Sequence, residues 1–495
     1  MLEEHVYDLL TDAEIQALPP DTHVIGSMMN LTVKRSEITG AIDKYKGRLV
    51  ALGNQQRQDQ FDDVRSPTAR SSTSKLLISI QAKLGSKSRV IDVKGAYLKA
   101  SINEERNIYI RLPNGRIAKL NKYLYGLKQA GYQWSQALAR TLVAAGYIQS
   151  TADPCVFSKW NDEDYIIMST HVDDFYVISN DTKYIDTLQE TLTTAFGTVT
   201  TKSDNIIGYL GMAIETKPNG QVKVNQRPYF DKILARVGMT DCKPARTPYS
   251  ETQSKQTSDN ESIDKNEYLE HIGMLNYPAV LTRPDLLYAL SRLAQKCSNP
   301  TKGDMRRVTR VFRYINGTKD LGLTFQPGDA KITLYGYVDA SYHSYPNAAS
   351  QYGYSFSLHA KNKSKDATFY ARSGKMKLVT LSSTEAEYVA AAEIATETIF
   401  LRNLLKDIGF PQRHPTVIYE DNKSCIQMIH GAGNHQRTKH INAKYHFTRQ
   451  QVKKGTIRIK YKNTLNMLAD IFTKGSIPAK QFEKLRDKLL NNVTE

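Results

Sequence analysis

Apolar residues along the chain fall into short dense runs and spaced helical stripes, and several of these carry an acidic residue at one end. Two β-prone runs flank an acidic doublet in YIIMSTHVDDFYVIS, from Tyr165 to Ser179, which predicts a hairpin with Asp173 and Asp174 at its bend. SRVIDVKGAYLKA opens on Val90 and Ile91 and then places Asp92, predicting a second strand that ends in a carboxylate. ITLYGYVDASY reads as a strand carrying Asp339, and LGLTF as a shorter one. LSSTEAEYVAAAEIATETIFLRNLL predicts a long helix, and TVIYEDNKSCIQMIHG a strand, then Asp421, then a short helix. TLNMLADIFTKG predicts an amphipathic helix holding Asp470. In MRRVTRVFRYI, Val308, Val311, Phe312 and Ile315 recur at i, i+3, i+4 and i+7 and share one helical face. Arg306, Arg307, Arg310 and Arg313 lie mostly off that face, where they serve either as a solvated surface or, together, as a track for a phosphate backbone.

Punctuation between these runs predicts the domain organisation. The stretch from Glu251 to Asn266 is polar, with Ile263 its one apolar residue, and reads as a flexible connection. QPGDAK, from Gln326 to Lys331, follows LGLTF with Pro and Gly and marks a second boundary. The expected division is 1–250, then a helical 251–328, then a mixed α and β region at 329–480 and a tail at 481–495. No repeat of 20 to 50 residues is present, and no run of about 18 apolar residues offers a membrane span.

Charge and cysteine usage narrow the partners. Lys and Arg number 67 against 50 Asp and Glu, a formal net charge of +17. An excess of that size points to a polyanion, because neutralising phosphates releases their counterions. The plain alternative is a well-solvated basic surface. Cys155, Cys242, Cys297 and Cys425 are far apart and form no C-x-x-C pair, which argues against a zinc site and against a disulfide framework.

The acids carry the chemistry. Adjacent carboxylates in a tight turn repel each other, and a divalent cation relieves that repulsion, with Mg²⁺ preferring carboxylate oxygen. An isolated Asp-Asp in a turn is ordinarily just solvated. Three carboxylates from two neighbouring strands, Asp92, Asp173 and Asp174, would hold the two metals of an in-line phosphoryl transfer. In the long helix, Ser382 and Glu385 form an S-x-x-E capping box, which gives Glu385 a structural task. Glu387 is therefore favoured as a ligand, with Glu385 the alternative.

These residues sit inside a longer resemblance. DVKGAYLKA resembles the DVKTAFLNG stretch of copia-type reverse transcriptases, and HVDD resembles their YVDD box. KYKGRLVALG, SPTARSSTSKLLISIQAKLG, YLYGLKQAGYQW, YLGM and LTRPD follow the family order, from about Asp43 to Lys474. The chain is thus identified as similar to the reverse transcriptase and ribonuclease H region of a copia-type (Pseudoviridae) LTR retrotransposon Pol polyprotein. The resemblance implies an α+β and α/β multidomain fold: right-hand polymerase fingers and palm, a thumb and connection, then a ribonuclease H-like mixed sheet. It implies Asp92, Asp173 and Asp174 as the metal-binding carboxylates of the palm, and Tyr97 as the ring that excludes a 2′-hydroxyl. Gln129 would lie near nucleotide and template, Lys46 and Arg48 near the triphosphate, and His171 near the primer end.

The later motifs imply a second set, Asp339, Glu387, Asp421 and Asp470, resembling the family's D-E-D-D core. Each site would take two Mg²⁺, with Mn²⁺ as a substitute. QRTKHINAKYHFTRQQV resembles the RTKHIDVRYH segment, and its His440 and His446 read as substrate-facing or structural rather than as metal ligands. Implied partners are an RNA template, a DNA primer, RNA–DNA hybrid and deoxynucleoside triphosphates, with association to the integrase or capsid of the same element and no membrane. The implied location is a cytoplasmic virus-like particle, and the nucleus. Two departures stand out: His171 replaces the usual Tyr before VDD, and Gly95-Ala96-Tyr97 replaces Thr-Ala-Phe. No zinc knuckle, protease D-[ST]-G or integrase zinc module is visible, so the sequence is expected to be a processed product, a fragment or a truncated copy. A degenerate or domesticated element that binds nucleic acid without catalysis is the alternative function.

Overall fold

The computed structural model describes residues 5–61, 63–102, 107–251, 257–328, 331–359, 366–431 and 446–492. The fold is of the expected mixed α and β class, with four sheets in two compact units. The units are not contiguous in the chain: one is Met1–Arg70 with Lys87–Asp204, the other Ser71–Ser86 with Asn205–Glu495.

The first unit holds two sheets. A six-stranded antiparallel sheet runs in the order Val199–Lys202, Lys87–Val93, Asp174–Ser179, Asp164–His171, Val156–Asn161 and Ile148–Gln149. The expected hairpin is its centre, with strands Asp164–His171 and Asp174–Ser179 joined at Val172 and Asp173. Both strands are buried nearly throughout because both are inner strands: Phe175 and Val177 join Ile91, Trp134, Leu138, Ile185, Leu188 and Leu192 in one core. The last five of these include residues of helices Ala130–Ala144 and Thr182–Phe196. The other sheet contains the long hairpin Val24–Arg35 and Ile42–Ala51, paired so that Lys46 faces Thr32 and Arg48 faces Asn30. Lys44, Lys46 and Arg48 alternate along one strand, so their side chains leave the same face.

The second unit holds helix Ser71–Leu84, a four-stranded antiparallel sheet from Ile206 to Phe325, and a helical group. In helix Lys302–Asn316 the expected stripe of Val308, Val311, Phe312 and Ile315 is buried. A five-stranded mixed sheet follows, in the order Tyr370–Lys375, Gln351–Leu358, Leu334–Ser341, Thr416–Glu420 and Ile457–Tyr461. Its three last strands are parallel, and helix Ser383–Asp407 packs on the central one. Being central, strand Leu334–Ser341 is buried along almost its whole length.

Three local expectations need correction. TLNMLADIFTKG is not an amphipathic helix but two 3-10 turns, Thr464–Asn466 and Leu468–Phe472. The second of these turns lies directly against the sheet: a Cβ on Gly353 would meet Phe472 Cβ at 2.4 Å, so its residues pack by close approach to a strand rather than along one helical face. The polar connection from Glu251 is shorter than expected, because Thr257–Asn260 forms a 3-10 turn and helix Lys265–Leu281 starts within it; 252–256 lie outside the described residues. The segment 481–495, read as a tail, begins inside helix Ala479–Leu490, whose Phe482, Leu485 and Leu489 are buried. Part of QPGDAK, at 329–330, lies outside the described residues. All four cysteines are free. Among the described residues no helix is long and apolar enough to cross a membrane.

Candidate active sites

In the first unit, strand pairing brings the three acids together. Asp92 lies opposite Asp174 in the antiparallel register, and Val93 N–H donates to Asp173 O at 3.0 Å. The bend is strained: Val172 is β-branched and sits at φ 60°, a conformation such residues rarely adopt. The indole Nε1–H of Trp134 donates to Val172 O at 2.7 Å and helps hold it there. Burial pushes the Asp173 carboxyl up, helped by Asp92 and opposed by Lys46 and Arg48. Burial, with Asp173 and Asp92 beside it, pushes Asp174 up to about 6.

A cleft of about 730 Å³ opens on these acids. Asp92 and Asp173 line it together with Lys34, Lys44, Lys46, Arg48 and Lys94. Burial, and Arg48 after it, lowers the Lys46 ammonium, while Asp173 and Asp92 act in the opposite direction. Arg48 stacks over the Tyr125 ring at 5.5 Å, and Tyr125 meets Tyr97 edge to face at 5.0 Å. Burial raises the Tyr97 phenol, and the negative charge of Asp173 adds to it.

Not every expected residue joins this cleft. Gln129 is buried, and its amide is committed internally: Gln56 Nε2 donates to it at 3.0 Å, and it donates to Gln60 O at 3.3 Å. His171 ends its strand opposite Asp174, with Nδ1 buried and without a hydrogen-bond partner. In the second unit the helix arginines have internal partners: Arg306 pairs with Asp259, Arg310 bonds Thr247, and Arg313 donates to Lys243 O at 2.7 Å. The structure thus uses these three to tie the helix to its own unit.

The second unit gathers the later acids. Asp339 lies near the end of the central strand Leu334–Ser341, Glu387 projects from the first turns of helix Ser383–Asp407, and Asp421 follows strand Thr416–Glu420. One oxygen of each lies within 4.8 Å of the others. Glu385 is occupied at the helix start, where Glu385 N–H donates to Ser382 Oγ and its carboxylate accepts from Leu381 N–H at 2.8 Å. Asn422, not Asp421, caps the following helix, leaving Asp421 to accept from Thr464 Oγ1 at 2.7 Å. Asp470 joins through Lys474, whose Nζ lies 2.7 Å from Asp470 Oδ1 and 3.5 Å from Asp339 Oδ1.

Burying so much negative charge has a cost, seen in the carboxyls themselves. Asp339 is pushed up to about 7 by burial, against the pull of Lys474, and Asp470 to about 6 for the same reason. Glu387 lies well above the ordinary carboxylate range through burial and then Glu420. Oε2 of Glu387 and Oε2 of Glu420 are buried without a hydrogen-bond partner. Convergent carboxylates with orphaned oxygens fit a hard divalent cation, which would supply the charge they lack.

Sequence reading missed Glu420, Thr473 and Lys474, and in the first unit Lys34, Lys44 and Lys94. Glu420 was legible in principle, since the alternation that buries Thr416 and Ile418 puts it on the same face. Thr473, which donates to Asp339 Oδ2, and Lys474 had no comparable signal. His446 bonds the Tyr388 hydroxyl at 2.9 Å, a structural contact, while His440 lies outside the described residues.

Residues 11–251 match the family described as reverse transcriptase (RNA-dependent DNA polymerase). The chain is 32% identical over 95% of its length to the retrovirus-related Pol polyprotein from transposon RE2 of Arabidopsis thaliana, covering 32% of that protein. It is 31% identical over 90% of its length to the one from transposon TNT 1-94 of Nicotiana tabacum, covering 34% of it. The chain therefore spans about a third of the length of these curated relatives. Among solved structures it is similar to a foamy viral protease-reverse transcriptase dRH in complex with double-stranded DNA, at TM-score 0.54 and 12% identity, covering 94% of this chain and 68% of that one. A second foamy viral protease-reverse transcriptase, also with double-stranded DNA, matches at TM-score 0.51 and 12% identity, over 94% and 80% of the two chains. Over residues 11–251 the chain belongs to the reverse transcriptase family, and over most of its length it is a relative of the Pol polyproteins of copia-type transposons.

Proposed function

We propose that this chain copies RNA, and then DNA, into DNA from a primer, and that its second unit cleaves the RNA strand of the resulting hybrid, as part of the replication of an LTR retrotransposon. The observation that carries this reading is a set of converging carboxylates in the second unit, together with three acids that strand pairing brings beside a cleft rich in Lys and Arg in the first. Asp92, Asp173 and Asp174 would hold divalent cations in the first set, and Asp339, Glu387, Asp421 and Asp470 in the second. Two bound Mg²⁺ or Mn²⁺ ions would supply charge neutralisation at the attacking and leaving oxygens of an in-line displacement.

The chain's own residues do the remainder. Lys46 and Arg48, on one face of their strand, grip the triphosphate oxygens, Arg48 in a bidentate way. Tyr97, fixed by its edge contact with Tyr125, bars a 2′-hydroxyl by shape and so selects deoxynucleotides. His171 lies next to the primer end. The hybrid is gripped by its backbone and read by shape; that the foamy viral relatives were solved with double-stranded DNA supports a duplex partner. The +17 charge agrees with such a partner. The element's integrase or capsid would be the protein partners, in a cytoplasmic particle and in the nucleus.

The test is primer extension on an RNA template with deoxynucleotides, in Mg²⁺ and in Mn²⁺, beside an Asp173→Asn variant. A Glu387→Gln variant serves the same purpose for hybrid cleavage. Extension lost in the first variant and cleavage lost in the second support the reading. Intact hybrid binding with neither activity in the parent chain would replace it with a nucleic-acid-binding remnant.

A further inference from the structure

The acids of the second unit's site are not all engaged alike. Asp339, Glu387 and Asp421 form a set whose oxygens lie within 4.8 Å of one another. Asp470 stands outside that set and takes the Lys474 ammonium instead, at 2.7 Å. The same ammonium lies 3.5 Å from Asp339 Oδ1, so one positive charge bridges two of the expected ligands.

This bridge is built into the backbone. Gly353 lets the turn Leu468–Phe472 lie against the sheet, and Lys474 N–H donates to Asp470 O at 3.0 Å. The neighbouring Thr473 hydroxyl donates to Asp339 Oδ2, which pins the start of the Lys474 side chain beside the strand. An ammonium held by two carboxylates is drawn from them most readily by another anion that competes for it. Where a carboxylate already holds an ammonium, a divalent ion brought to the same oxygens meets like-charge repulsion at close range.

Resting on the reading of this site as a metal-dependent nuclease centre, we propose that Lys474 is a built-in cation that holds the position between Asp339 and Asp470. The site without nucleic acid then takes one divalent ion, at Asp339, Glu387 and Asp421. A second ion enters when a substrate phosphodiester draws the Lys474 ammonium away, because phosphate oxygens are strong acceptors for it. Lys474 in this role is a positioning residue that couples full metal loading to the arrival of substrate.

The test counts bound Mn²⁺ by electron paramagnetic resonance on the full chain without nucleic acid. Asp92→Asn and Asp173→Asn are introduced throughout to silence the first unit's acids. Lys474→Met should gain a second bound ion, while Lys474→Arg, which keeps the charge, should bind one ion like its parent. Adding a non-cleavable RNA–DNA hybrid to the parent should raise its count from one to two. Two ions in the parent without hybrid, or one ion in Lys474→Met, would overturn the role of Lys474 while leaving the metal site in place. No ion in any form, with the fold intact by circular dichroism, would overturn both this inference and the nuclease reading beneath it.

Discussion

Asp339→Asn should stabilise the metal-free protein while removing one of the converging carboxylates of the second unit's site. Asp339 is 1% exposed, and burial pushes its carboxyl from 3.8 to about 7. A raised carboxyl is protonated in the fold when the unfolded chain has already ionised, so its stabilising contribution is lost as pH rises from 3.8 through about 7. At about 1.4 kcal/mol per pH unit, Asp339 costs the folded state roughly 4 kcal/mol at pH 8, where it is buried ionised, and about 2 kcal/mol at pH 5, where folding must first protonate it. Asn has nearly the same shape, accepts from Thr473, and carries no charge. In chelator at pH 8 the variant should therefore exceed the parent by roughly 4 kcal/mol, a gap that halves by about pH 5. Trp134 and Trp160 both lie in the first unit and would not report on this change. Hydrogen exchange of the strand Leu334–Ser341 would, and its amides should be protected about a thousandfold more in the variant. Saturating Mg²⁺ should raise protection in the parent and leave the variant unchanged. A variant no better protected than the parent at pH 8, or a gap independent of pH, would refute the argument.

Four further outcomes follow from the geometry. Arg283 and Asp285 form a fully buried bidentate pair at 2.7 and 2.9 Å, with Tyr314 donating to Asp285 at 2.6 Å, so Asp285→Asn should cost about 3–5 kcal/mol in urea unfolding. Gln129→Ala should cost about 1–3 kcal/mol by stranding Gln56 and Gln60, yet leave the KM for deoxynucleotide within about twofold. Lys46→Met or Arg48→Met should each raise that KM about tenfold or more in steady-state primer extension, with hybrid binding measured by anisotropy unchanged. Because a metal needs ionised carboxylates, Mn²⁺ affinity of the first site should fall about tenfold for each pH unit below the Asp174 value of about 6, read by titration calorimetry.

What the sequence determined by itself is what local chemistry enforces. Two β-prone runs around Asp173 and Asp174 predict a hairpin with the acids at its bend, and both fold as inner strands joined there. The stripe of Val308, Val311, Phe312 and Ile315 likewise commits one helical face to the core. Capping chemistry distinguishes Glu385 from Glu387 in the sequence alone, because an S-x-x-E pair engages the first glutamate at the helix start. Only the tertiary structure decided what depends on approach between distant segments. The turn at Asp470 touches the sheet at Gly353, over a hundred residues away, where no Cβ stands in its way. Arg306, Arg310 and Arg313 look alike on a helical wheel, and only their neighbours at Asp259, Thr247 and Lys243 commit them to internal ties. Lys474 was invisible for the same reason: its importance lies in two acids, one of them 135 positions earlier in the chain, that no periodicity connects to it.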